Sequence, residues 1–149
     1  MTRDEYIQQV QAILTEHTAQ AAARLSSALK VVPSTARKVV IEIFVDQDGE
    51  GFLDVRVALD GPDLVALNRA ITSHAELFKT RMTQSGLDPA LPLMEPGGEA
   101  FSVHDALTDC AASWLSSVWR EVDRRNFRLP VTVVSHDGYG TITPLHLDT

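Results

Sequence analysis

Between Val39 and Leu59 the sequence runs VVIEIFVDQDGEGFLDVRVAL, and few folds accept such a stretch. Two runs of strand-forming residues flank Asp48-Gly49-Glu50-Gly51, where two glycines allow positive φ and the acidic side chains can accept backbone hydrogen bonds. That is the spelling of a β-hairpin. In the second arm Leu53, Val55, Val57 and Leu59 alternate with Asp54, Arg56, Ala58 and Asp60, so one face is apolar and the other charged. In the first arm Val39, Ile41, Ile43 and Val45 form the inward set, and Val40, Glu42 and Phe44 face away.

The same residues invite a count against a calcium loop. From Asp46, oxygen ligands fall at the first, third, fifth and ninth positions, with Gly51 at the sixth and the Phe52 carbonyl at the seventh. The twelfth position, which needs a bidentate Glu, is Val57, and the flanks alternate with the period of strands where helices are required. A plain hairpin turn is the preferred reading.

Helical periodicity accounts for most of the remainder. Thr2 can cap a helix with Asp4 and Glu5 in its first turn, and Tyr6, Val10, Ile13, Leu14, His17, Ala21, Leu25 and Leu29 form its apolar stripe. Pro33 stops it after about Val31, which makes a rod of about 43 Å, longer than a small domain is wide. Either the rod bends or a second copy of the chain covers part of it, so a homodimer through this helix is expected. Leu64, Leu67, Ile71, Ala75, Phe78 and Met82 predict a second helix from Asp63 to Gln84, with a split near Thr72-Ser73 and a stop at Gly86. Ser102 and Asp105 resemble a capping box for a third helix, from Val103 to Arg125, whose stripe includes Cys110 and Trp114, with Trp119 off its centre at an edge or interface.

Gly86 to Gly98 holds three prolines and three glycines and reads as a long loop carrying Leu91, Leu93 and Met94, either a lid folded onto the core or an exposed apolar payload. After Asn126, strands over Leu129–Val134 and Thr141–Leu147 flank His136-Asp137-Gly138-Tyr139-Gly140 as a second hairpin, and Pro144 places its last strand at a sheet edge. The spelling V-x-x-D-G-x-G recurs at Val45 to Gly51 and Val134 to Gly140. The expected fold is therefore a single α+β domain spanning 1–149, with two β-hairpins forming a four-stranded antiparallel sheet packed on three helices in the order α-β-β-α-α-β-β.

Chemistry is sparse. The sequence lacks a G-x-S-x-G elbow, a phosphate-binding glycine loop and a metal spacing among His17, His74, His104, His136 and His146; Cys110 falls on an apolar stripe. A formal charge of −7 argues against nucleic acid and favours a basic partner. No membrane span and no cofactor are expected. The polar start MTRDEYIQQV and the single cysteine predict a reducing cytoplasm.

FVDQDGEGFLDVRVALDGP and LPVTVVSHDGYGTITPL resemble segments of a small bacterial family of uncharacterised single-domain proteins, a resemblance that spans most of the chain and implies no catalytic residue. Two functional expectations follow. The first is a non-enzymatic, acidic protein-binding domain, such as an immunity-type inhibitor of a basic toxin, using Asp46, Asp48, Glu50, Asp54, Leu91, Leu93 and Met94. The alternative is a metal or small-ligand site at the two D-G-x-G turns, built from Asp46, Asp48, Glu50, His136 and Asp137.

Overall fold

A computed structural model describes residues 1–45, 51–92 and 101–147. The expectations placed on Asp46, Asp48, Glu50, Leu93 and Met94 lie outside the described residues.

The predicted hairpin forms as β1 (Lys38–Val45) and β2 (Leu53–Asp60), paired antiparallel in continuous register from Lys38↔Asp60 to Val45↔Leu53. Its alternation is strict: Val39, Ile41, Ile43, Val45, Leu53, Val55, Val57 and Leu59 are all buried. Burying that face at about 25 cal/mol per Å² supplies the drive that fixes the register, because a slip by one residue would turn every apolar side chain to water.

The first helix is two. α1 (Arg3–Thr15) ends at Glu16, and α2 (Thr18–Lys30) begins after His17. No glycine or proline marks the break; the His17 ring instead stands edge-on to Phe78 at 5.1 Å. Each half turns its stripe to the core, so Tyr6, Val10, Leu14, Ala21, Leu25 and Leu29 are buried within one chain. The length that called for a second copy is gone.

The second predicted helix also changes character. α3 (Leu64–Ile71) is capped by Asp63 in the left-handed region, whose carboxylate accepts from the Ala66 N–H, and it tightens into a 3-10 turn at Thr72–His74. The chain then extends as β3 (Glu76–Lys79), which pairs antiparallel with β2. The outer edge of β2 would otherwise leave backbone donors and acceptors unpaired, a cost that outweighs a loosely helical spacing. Where β3 stops, the Asn68 side chain substitutes for a strand: its Oδ1 accepts from the Leu59 N–H at 2.9 Å and its amide donates to the Leu59 carbonyl at 3.2 Å. The expected proline-rich loop contains a short strand as well, since β4 (Arg81–Thr83) and β5 (Gly86–Asp88) make a separate two-stranded ladder. Leu91 beyond it is buried in the core, as the lid reading expects.

α4 (Val103–Arg120) is the predicted third helix, shorter at its C-terminus. Ser102 accepts from the Asp105 N–H as the cap. Trp119 is not at an edge; it is buried, with the Arg124 guanidinium 5.0 Å over its ring. α4 lies against β1 and is flanked by α1 and α2.

The largest correction concerns the second hairpin. β6 (Val131–Ser135) and β7 (Leu145–Leu147) do pair antiparallel, with β7 at the edge, but β6 joins the sheet parallel to β1 in the register Val39↔Val131 to Ile43↔Ser135. Among the described residues the fold therefore has four α-helices and a mixed five-stranded sheet in the order β3-β2-β1-β6-β7, not three helices on a four-stranded antiparallel sheet. A parallel neighbour requires a crossover, and α4 is the element that carries the chain back before β6.

Candidate functional site

Because β1 and β6 run the same way, their C-terminal ends, Val45 and Ser135, emerge at one end of the sheet, and Leu53 begins β2 at that same end. The face of the sheet opposite the buried set carries Glu42, Phe44, Asp54 and Arg56, all half-buried. Phe44 stands directly across from Asp54, and Asp54 from Lys79. On the other side of Phe44, the His136 ring packs at 4.4 Å. His136 is fixed twice more, by its backbone N–H donating to the Ile43 carbonyl at 2.9 Å and by Nδ1 lying 3.3 Å from Glu42 Oε2. Lys79, Asp54, Phe44 and His136 thus form a row across three strands and the start of the loop after β6.

Asp54 is the carboxylate of this row, and its surroundings perturb it. Burial pushes its carboxyl above the ordinary value, against the pull of Arg56 and Lys79, whose cationic groups lie 4.0 and 3.9 Å from it. One of its oxygens, Oδ1, is buried without a hydrogen-bond partner. Beside the row, a cleft of about 220 Å³ is lined by Glu42, Phe44, Arg56, Ala58, Asn68 and Thr72, with Val57 and Ala75 below.

The loop from His136 to Pro144 is not a tight reversal, since the β6–β7 ladder begins only at Val133↔Leu145. It is fastened instead to the first turns of α4. Asp105 Oδ1 accepts from the Gly140 N–H at 2.8 Å. Asp109 Oδ1 accepts from the N–H groups of Thr141 and Ile142, and Oδ2 accepts from the Thr141 hydroxyl. The Tyr139 ring stacks on His104 at 4.5 Å. Gly140 has φ +97°, and a Cβ there would stand 2.8 Å from Thr108 Cγ2, so only glycine lets the loop approach the helix this closely. The capping box is therefore half a box: Ser102 caps, while the Asp105 carboxylate turns to the loop.

Asp137 is exposed at the tip of this loop. Of the metal or ligand set, the structure brings His136 to Glu42 and Phe44. Among the described residues no three His, Cys, Asp or Glu side chains group to hold a metal ion. Cys110 is buried in the core, and burial pushes its thiol up to about 11, which keeps it protonated and a poor nucleophile. Sequence reasoning missed Glu42, Phe44, Arg56, Asp105 and Asp109. The spacing of Asp105 and Asp109, four apart on one helix face, is the signal that could have marked the last two.

No described helix is long and apolar enough to cross a membrane. No curated protein and no solved structure matches the chain. The family of unknown function DUF6389 matches residues 1–149, and the chain belongs to that family.

Proposed function

We propose that this protein is a non-catalytic binding domain that recognises a basic protein partner with the acidic end of its sheet, in the manner of a cytoplasmic immunity-type inhibitor of a basic toxin. The observation that carries this reading is the parallel pairing of β1 with β6. It supports one recognition surface in place of two separate turns, since it sets Glu42 beside His136 and the loop bearing Asp137, a loop that Asp105 and Asp109 hold from α4. The two helix carboxylates accept only from neutral backbone and hydroxyl donors of the loop. Phe44 and the cleft beside it supply apolar area at the centre of the charged surround, the composition of a binding patch. Acidic complementarity of this kind accelerates association with a basic target and makes it sensitive to salt.

The test is a titration of the purified protein against the product of the gene neighbouring its own. A stable complex is expected, with an association rate that falls as salt rises and with loss of binding on Asp137→Lys and Phe44→Ala. Absence of a complex, or a complex indifferent to both substitutions, removes the proposal.

A further inference from the structure

The opposite end of the sheet has the opposite charge. There the N-terminal ends of β1 and β6 meet the C-terminal ends of α2 and α4, as the Val39 N–H bond to the Pro130 carbonyl and the Asp123 N–H bond to Ser26 Oγ show. Lys30 and Arg120 occupy the last turns of α2 and α4. Arg37 and Lys38 lead into β1, and Arg124, Arg125 and Arg128 lie in the connection to β6. These are seven of the thirteen Lys and Arg residues, set against four acids at the same end, Asp60, Asp63, Glu121 and Asp123. Among the described residues this end thus has a formal excess of three positive charges.

Helix dipoles account for Lys30 and Arg120, which sit where cations are favoured. They do not account for the other five. The eight residues of β1 hold the two ends about 26 Å apart, roughly three screening lengths at physiological salt, so the distant acids do not cancel the basic field.

The basic end is also concave and partly apolar. A cleft of about 330 Å³ has Leu29 and Phe127 in its walls and Lys30, Arg125, Asn126 and Asp123 around them. Asp123 chelates the Arg125 guanidinium through both oxygens at 3.1 Å and so steadies it at the rim. Nearby, Val31 is 43% and Leu64 54% exposed.

We propose that this cleft binds an acidic peptide segment of a protein partner, one that carries an apolar side chain between carboxylates. The apolar residue would enter between Leu29 and Phe127 while the carboxylates meet Lys30 and Arg128. Arginine forks suit carboxylates, and the apolar wall of Leu29 and half-buried Phe127 between the cations suits a peptide side chain. A concave wall suits a peptide better than a flat lipid surface. This inference is independent of the function proposed for the acidic end, and the two surfaces together would make the protein a bridge between partners of opposite charge.

The probe is a fluorescein-labelled peptide of alternating Glu and Leu, followed by anisotropy, with phosphatidylserine vesicles and oligothymidylate in parallel. Saturable binding of the peptide is expected, weakened roughly tenfold on raising NaCl from about 50 to about 300 mM, as screening dictates. The pair Lys30→Glu and Arg128→Glu, both at exposed positions, should abolish it with the circular dichroism spectrum unchanged, whereas Arg81→Glu should not. Three results overturn the proposal: no saturable peptide binding, binding unaffected by the paired reversal, or a clear preference for the vesicles or the oligonucleotide.

Discussion

Asp109 on α4 grips Thr141 with both carboxylate oxygens, one accepting from its N–H and the other from its hydroxyl, each at 2.7 Å. With the Ile142 N–H added, one half-buried side chain satisfies three donors of a loop that has no ladder of its own. Asp109→Ala should cost about 1–2 kcal/mol in chemical denaturation, and Asp109→Asn less. Amide exchange at Thr141 and Ile142 should accelerate in the alanine variant. A cost no larger than that of Glu121→Ala would show that the loop holds itself.

Asn68 completes the outer edge of β2 by bonding both backbone groups of Leu59. Asn68→Ala leaves a strand N–H and C=O without their partners and should destabilise the fold by about 1–2 kcal/mol. Asn68→Asp restores the acceptor but not the donor and should fall between. Urea midpoints with an unchanged slope would establish the order.

The Asp54 carboxyl is held above its ordinary value of 3.8 chiefly by burial. The folded chain therefore holds this proton more tightly than the unfolded chain does. Stability from this group is greatest below 3.8 and declines as pH rises through the raised folded value, so that neutral pH bears the whole penalty. Asp54→Asn should raise the melting temperature at pH 7, and the gain should vanish as pH falls below 3.8. The ion pairs it forfeits with Arg56 and Lys79 are half-exposed and contribute little. A gain that persists at low pH would assign the effect to something other than the charge.

Cys110, the single cysteine, is a core residue whose thiol is pushed up to about 11 by burial. At pH 8 the native protein should resist a thiol reagent, and labelling should track unfolding as urea is added. Rapid stoichiometric labelling without denaturant would contradict the burial.

The first hairpin was legible because its two signals agree: alternation set the faces and the glycine-bearing turn set the pairing. The caps at Thr2, Asp63 and Ser102 were legible for a similar reason, since each needs only a short polar side chain two or three residues ahead of free N–H groups. The candidate site was read in fragments. His136 and Asp54 were named, yet nothing local says that they flank Phe44, because that neighbourhood is made by strands 90 residues apart in sequence meeting in parallel. Glu42 and Arg56 looked like ordinary outward residues of a strand, which they are, until a third strand and a loop arrive beside them.

By itself the sequence determined the inward face of the first hairpin and the starts of α1, α3 and α4, since strand alternation and capping depend on side-chain chemistry at short range. Tertiary structure alone decided three things: the break at His17, the strand at Glu76–Lys79 and the parallel insertion of β6 beside β1. Each is an answer to an unpaired surface created elsewhere in the fold, an edge of β2, an edge of β1 or a helix too long for its core. The cost of leaving backbone groups or apolar area unmatched there exceeds the small local preferences that a periodicity measures. The N-terminal ends of β1 and β6 so brought together carry a cationic excess that a net charge conceals.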